Sequence, residues 1–357
     1  MSILFRYVSR EILAATLLAV FALLGLVSFF DLLNELAEAH TETYTPLMAM
    51  AYVALNVPIR VYELLPVAAL IGGLFAWNRL AQGAEFSVMR TAGLSMARLV
   101  VWMVMLGAFL GGLTLVLGEF VTPHAEQAAN QLKVRATSGV VARAFKSGLW
   151  AKDGNNFINI QELRPDTSLS GITLYAFSED AHLQTLRRAG SGQWQQEGGW
   201  LLREVTETTI TPQFTRTVKL PDQTWRSAIT PDLLAVLMVS PDRMSMLALQ
   251  AYSQHLRDNH QDAQRYEIAL WNKMIYPVAG PIMMLLALAF AYRPPRSSGA
   301  GGRLLAGVLL GLGFHLANRL VAQVAQILDW SAPAAAVVPM VLIGLSAITA
   351  VWWLDRR

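Results

Sequence analysis

The sequence predicts a polytopic α-helical membrane protein: six transmembrane helices in two groups of three, with an all-β domain inserted between the groups. Three observations carry that prediction. Hydrophobic residues make up 54% of the 357 positions and charged residues only 15%, with a mean hydropathy of +0.40, which is too apolar for an ordinary soluble domain. Six apolar runs each approach the ~20 residues that a bilayer span requires. The stretch between the third and fourth runs is polar and rich in strand-forming segments.

The spans fall near 11–32, 50–77, 99–121, 269–292, 304–328 and 334–354. The first run, Ile12 to Phe30, is too long for the apolar core of a signal peptide, and no small-residue cleavage site follows it, so it reads as a retained helix. Lys and Arg in short loops set orientation. Arg6 and Arg10 precede the first span, Arg79, Arg90 and Arg98 separate the second from the third, Arg293, Arg296 and Arg303 separate the fourth from the fifth, and Arg356 and Arg357 end the chain. The alternate loops, 33–49 and 329–333, contain neither Lys nor Arg. Both termini are therefore expected in the cytoplasm and the inserted domain on the opposite side.

Within that domain, "NFINIQEL", "GITLYAF", "WLLREVTETTI" and "RTVKLPDQTWRSAI" are short, β-branched or aromatic, and divided by Gly, Pro, Asp and Asn, as strands are. Such a series fits a sandwich, a barrel or a jelly roll. Its flanks are helical: "AEQAANQLKVRA" continues the third span, and "MSMLALQAYSQHLRDN" is amphipathic. The chain thus divides into 1–122, with a short cytoplasmic helix at 82–93; 123–265, the outer β domain with helical connectors; and 266–357.

Enzyme chemistry is poorly represented. With no cysteine, disulfides, thiol catalysis and Cys-bound metals are excluded. There is no P-loop, and "SGAGGR" at 298–303 lacks the Lys-Ser/Thr that would make it one, so it reads as a hinge. No H-E-x-x-H or G-x-S-x-G occurs. The six histidines are scattered; His315 lies on a span, where a packed, hydrogen-bonded role outweighs a ligand role.

Charges gather at one depth instead. At about 1.5 Å per residue, Asp31, Glu119 and Lys273 lie about 30 Å from Arg10, Arg98 and Arg293, Arg60 about 28 Å from Arg79, and Arg319 about 24 Å from Arg303. The hydrocarbon core is about 30 Å thick, so these groups mark the outer-leaflet headgroup level. For Asp31, Glu119 and Lys273 the simplest reading is that spans end where charges begin. Arg60 and Glu63 are spaced i, i+3, which allows either a local ion pair or a ligand contact. Arg319 is different, because "HLANRLVAQVAQI" continues for two more turns. A guanidinium inside a span faces a bundle interior or a wet cavity and is a functional candidate. Arginines at this depth suit an anionic amphiphile, with phosphates on the guanidiniums and acyl chains on the apolar walls.

On the cytoplasmic side, "NRLAQGAEFSVMRTAGLSMAR" contains a breaker-free segment, Ala84 to Ala92, between Gly83 and Gly93. Phe86, Met89, Arg90 and Gly93 share one helical face, and Glu85 stands in the first turn, where it favours the helix dipole. The segment could lie on lipid. Its sparse basic charge and acidic start favour docking to a cytoplasmic protein, with Phe86 and Met89 in a groove and Glu85 against a cation.

Four segments extend this reading: "LAQGAEFSVMRTAG", "GEFVTPHAEQ", "GLWAKDGNNFINI" and "YEIALWNKM". Together with the three-plus-three layout they resemble the LptF/LptG family of lipopolysaccharide export permeases over nearly the whole chain. "GLWAKDGNNF" and "GITLYAF" are more similar to its LptG branch. The resemblance implies one permease subunit of an ABC exporter in the inner membrane of a Gram-negative bacterium. Such a subunit pairs with an LptF-type permease on two copies of an LptB-type ATPase. It extracts lipopolysaccharide from the outer leaflet and passes it to periplasmic LptC-type and LptA-type jellyroll proteins. It further implies that the β domain is a periplasmic jellyroll, that ATP is used by the partner and no cofactor is bound by this chain, and that no nucleic acid is involved. The segment 82–93 becomes the coupling helix, with Glu85, Phe86, Met89 and Arg90 meeting the ATPase. Headgroup binding falls to Arg60, Lys133, Arg135 and Arg319, because the outer end of the first span carries Asn34 and Glu35 where relatives often carry lysines. A lipoprotein-release permease would instead have four spans with its outer domain after the first. A membrane-anchored periplasmic protein without transport activity would have no use for the cytoplasmic helix.

Overall fold

The computed structural model describes residues 3–38, 44–136, 148–163, 168–178, 180, 182–195, 199–227, 229–231, 234, 240–291 and 300–355. Six helices among these are long and apolar enough to cross a membrane. Helix α1 (Ile3–Glu38) is followed by α2 (Pro46–Gln82), the short α3 (Glu85–Thr91) and α4 (Met96–Val116). Thr45 caps α2 with Pro46 in its first turn, a position where the missing N–H costs nothing. Helix α2 runs through Pro58 and Pro66 and forms the hub of the bundle, touching α1, α4 and the two later helices α8 and α9 defined below.

Helix α4 does not stop at the headgroup level. It passes through one π-helical turn, Leu117–Val121, into α5 (Thr122–Ala136). Pro123 explains the turn: its ring clashes with the carbonyl four residues back, and widening the helix there relieves the clash.

The β domain follows, with strands β1 (Leu149–Asp153), β2 (Asn156–Leu163), β3 (Leu169–Phe177), β4 (Leu183–Gln195), β5 (Gly199–Arg203), β6 (Val205–Ile210), β7 (Thr215–Leu220) and β8 (Gln223–Trp225). All pairings among the described residues are antiparallel, and β1, β2, β3 and β4 lie side by side in sequence order. β5 and β6 pair with successive halves of β4 in one register, broken only at Glu204, whose φ is 56°. β8 and β7 likewise share one register against β5 and β6. The eight segments therefore act as six long strands. One face buries Ile158, Ile160, Leu169, Ile172, Trp200, Leu202 and Val205, and the indole of Trp200 donates to Ile229 O at 2.8 Å.

A 3₁₀ turn, Pro241–Arg243, leads to α6 (Met246–Asp258) and α7 (Gln264–Ile275); then come α8 (Ala279–Ala291), α9 (Ala300–Ile327) and α10 (Ala332–Asp355). The β1–β2 turn docks on the end of α6, with Gly154 N–H donating to Asn259 Oδ1 at 2.8 Å and Lys152 Nζ to Asn259 O at 3.2 Å. Helices α4 and α8 approach closely because Gly107 and Gly280 face each other's backbone, the small-residue contact that membrane helices use to associate.

Candidate functional site

The charges that the sequence places toward the β-domain ends of the spans are paired rather than loose. Asp31 on α1 receives two hydrogen bonds from Arg60 on α2, Nε to Oδ2 at 2.8 Å and Nη2 to Oδ1 at 3.0 Å. Arg60 Nη1 donates to Glu63 Oε2 at 3.0 Å, and Arg319 Nη2 on α9 reaches Glu63 Oε1 at 3.5 Å. Glu63 is fixed from below as well, since Tyr276 Oη donates to its backbone carbonyl at 2.8 Å. Both readings of Arg60 are thereby narrowed: it makes the local i, i+3 pair and also clamps α1, which leaves its fork largely occupied.

A second group joins α1 to α5. Lys133 Nζ lies 2.7 Å from Glu35 Oε1, the same oxygen that accepts from Tyr44 Oη at 2.6 Å, and the ammonium stands 4.9 Å from the Tyr52 ring. Glu35 thus neutralises the lysine expected to bind anions. Arg135 lies on α5, and its side chain is outside the described residues.

A third group joins the spans to the return segment of the β domain. Glu119, in the π-helical turn, accepts from Met246 N–H at 2.9 Å. It lies 3.8 Å from Lys273 Nζ, which is 6% exposed and donates to Met244 O. Arg243 meets Glu126 of α5 at 3.0 Å. Asp31, Glu119 and Lys273, expected to mark span ends, are each tied to another element. Each has a partner, because a charge at this depth that could not reach water or an opposite charge would carry a large desolvation cost.

Arg319 remains distinct. It sits well inside α9, its side chain is 62% exposed, and its contact with Glu63 is long. Two carboxylates and two guanidiniums, Asp31, Arg60, Glu63 and Arg319, thus form a chain of zero net charge across α1, α2 and α9, with the loosest link at the Arg319 end.

The cytoplasmic segment forms the expected helix, α3, in place of a bare turn. The left-handed residue that starts it is Ala84, φ 56°, because Gly83 caps α2; Gly93, φ 91°, ends the turn. The expected docking face is corrected. Met89 is 6% exposed, and Phe86 packs edge-on against Trp77 of α2 with centroids 5.6 Å apart. Both are held by the core. Arg90 Nη1 donates to Leu94 O at 3.0 Å and closes the loop. The outward face instead carries Glu85, Val88 and Thr91, spaced i, i+3, i+6, with Val88 64% exposed. Glu85 Oε2 accepts from Tyr7 Oη of α1 at 2.9 Å. The sequence reading missed Val88, because it followed the larger side chains; the three-residue spacing of Glu85, Val88 and Thr91 was the signal available for it.

A family model described as lipopolysaccharide export system permease LptF/LptG matches residues 6–356. The chain belongs to the LptF/LptG family. Among its relatives, the lipopolysaccharide export system permease protein LptG of Haemophilus influenzae is 31% identical over 353 residues, covering 99% of this chain and 98% of the relative. The LptG protein of Escherichia coli K12 is 33% identical over 320 residues, covering 89% of each. Both are permeases, and the six spans and inserted antiparallel sheet described above are the LptF/LptG architecture. This LptF/LptG chain is thus a transport subunit rather than a catalytic one.

Proposed function

We propose that this chain is an LptG-type permease of the inner membrane that takes lipopolysaccharide from the outer leaflet and hands it to periplasmic carriers. Its partners are an LptF-type permease, an LptB-type ATPase dimer, an LptC-type membrane-anchored protein and an LptA-type bridge, with ATP bound by the ATPase. Both termini and α3 face the cytoplasm, in keeping with the distribution of Lys and Arg among the short loops. The β domain is periplasmic.

The observation that carries the substrate reading is Arg319: a guanidinium well inside an apolar helix with its side chain 62% exposed. Such a cation binds phosphate through charge-assisted hydrogen bonds. Lys133, already paired with Glu35, contributes long-range attraction. Arg60 acts chiefly as a clamp between α1 and α2. At the other end, Glu85 and Val88 on the outward face of α3 meet the ATPase, while Phe86, Met89 and Arg90 hold that face in place. The four-span lipoprotein-release arrangement fits less well, since the β domain here follows the third span.

Photo-crosslinking in the assembled complex tests the substrate reading. A photoreactive residue at Leu316, one turn before Arg319, is expected to capture lipopolysaccharide several-fold more than one at Leu305, and Arg319→Glu is expected to lower the Leu316 adduct. Equal capture at the two positions, or none at Leu316, refutes it.

A further inference from the structure

Glu63 has a place in this network that pairing alone does not explain. One carboxylate oxygen is tied to Arg60 at 3.0 Å, and Arg60 is in turn held twice by Asp31. The backbone carbonyl of the same residue is held by Tyr276. Glu63 is therefore fixed on α2, while its second oxygen, Oε1, meets Arg319 of a different helix at 3.5 Å. That distance is well beyond the ~2.7–2.9 Å of a good charge-assisted bond. Arg319 is a long side chain with most of its surface exposed. In this pair the carboxylate is the anchored partner and the guanidinium the movable one.

We propose that Glu63 is an internal counter-anion that competes with the phosphorylated headgroup for Arg319, and so sets how readily the lipid is released. This rests on the reading of Arg319 as a headgroup contact. A phosphate approaching Arg319 meets a guanidinium already partly satisfied and a fixed negative charge beside it. It can form a shorter bond than Glu63 does, so it binds; the carboxylate stays within reach to retake Arg319 when the lipid moves on. Glu63 weakens retention and eases departure, which suits a carrier that must empty its site in every cycle. Asp31 does not compete in this way, because both its oxygens are taken by Arg60.

The test is retention of radiolabelled lipopolysaccharide by the purified permease–ATPase complex in nanodiscs, before and after ATP. Glu63→Gln keeps the side-chain shape and the backbone carbonyl that Tyr276 holds. It is expected to raise the lipid retained without ATP by about threefold to fivefold, the range of a partly exposed ion pair, and to slow ATP-driven release. The gain should vanish in the Glu63→Gln/Arg319→Gln double variant, the mark of coupling through one contact. Asp31→Asn, which removes a charge from the same chain without touching Arg319, should give no gain. An unchanged or lower retention in Glu63→Gln overturns the inference, as does a gain that persists without Arg319 or is matched by Asp31→Asn. Arg319→Gln alone separates the two levels. If it retains as much lipid as the unaltered complex, the headgroup reading fails and the inference falls with it. If it loses lipid while Glu63→Gln changes nothing, the inference alone falls.

Discussion

Lys273→Met isolates the clamp between the spans and the return segment of the β domain. Lys273 is 6% exposed, donates to Met244 O and lies 3.8 Å from Glu119. Glu119 in turn accepts from Met246 N–H at the start of α6, where a carboxylate also gains from the helix dipole. Methionine fills nearly the same volume, so packing is kept and the charge is lost. Removing one partner of a buried pair costs about 3–5 kcal/mol when the other is left alone. Here Glu119 keeps its N–H donor, and the ion-pair distance is long, so the expected cost is nearer ~2 kcal/mol.

That cost falls on the 244–258 segment rather than on the whole bundle. Hydrogen exchange of the purified complex is the direct measurement: amides of α6 should lose protection by about 30-fold, with α2 and α8 unchanged. Glu119→Gln should partly restore protection in the Lys273→Met background, because it removes the stranded charge. If α6 exchange stays within about threefold of the unaltered protein, the Glu119–Lys273 contact does not hold the segment.

Three other expectations follow from the corrected geometry. Phe86→Ala removes the edge-on contact with Trp77 and should cost about 2 kcal/mol of local stability, read as increased proteolysis of the 78–98 loop in detergent. Val88→Asp, on the outward face, should leave that proteolysis unchanged but prevent co-purification of the ATPase; recovery of ATPase at the normal yield refutes docking through this face. Glu85→Lys should lower ATP-driven export by about tenfold or more, and rescue by an acidic substitution in the ATPase groove confirms the charge contact. For orientation, single cysteines at Ser87 and Thr217, both exposed, should respectively resist and accept an impermeant thiol reagent on spheroplasts; labelling at Ser87 overturns the layout.

The spans were legible because apolar length is a one-dimensional property. So were β2, read residue for residue as "NFINIQEL", and the paired segments that became β5–β6 and β7–β8. β4, the longest strand, was not. "LQTLRRAGSGQWQ" offers the core Ala189 and Gly192 where a strand usually offers Val or Ile. A Cβ at Gly192 would press on the ends of the Ile172 and Leu202 side chains, which fill the space beside it. A strand that contributes small residues to a core built by its neighbours carries no hydrophobic alternation of its own. β1 was missed for a related reason: it is a short edge strand with Trp150 turned outward.

Counting residues along helices assigned each charge an expected depth but could not pair the charges. Depth depends on one helix at a time, whereas Asp31–Arg60, Glu35–Lys133 and Glu119–Lys273 each join elements distant in sequence. The same limit explains the reversal on α3. A face bearing Phe86, Met89 and Arg90 is apolar with one cation, and the pattern is identical whether the groove that receives it belongs to a partner or to the protein itself. Trp77 and Leu80 of α2 supply that groove here.

The distribution of polar contacts along α1 has a mechanical consequence. Near its N-terminus, Tyr7 meets Glu85 and Glu11 meets Arg79 at 3.2 Å; near its C-terminus, Asp31 meets Arg60 and Glu35 meets Lys133. Between them the helix rests on α2 at Thr16, which lies so close to Gly72 that a Cβ at Gly72 would strike its backbone. The contacts at the Tyr7 end are exposed and individually weak, whereas those at the Asp31 end are part-buried, and Asp31 holds Arg60 twice. The close backbone approach in the middle depends on a side chain being absent at Gly72. A change of partner at Glu85 therefore bears on the same helix that carries Asp31, the outermost link of the chain ending at Arg319.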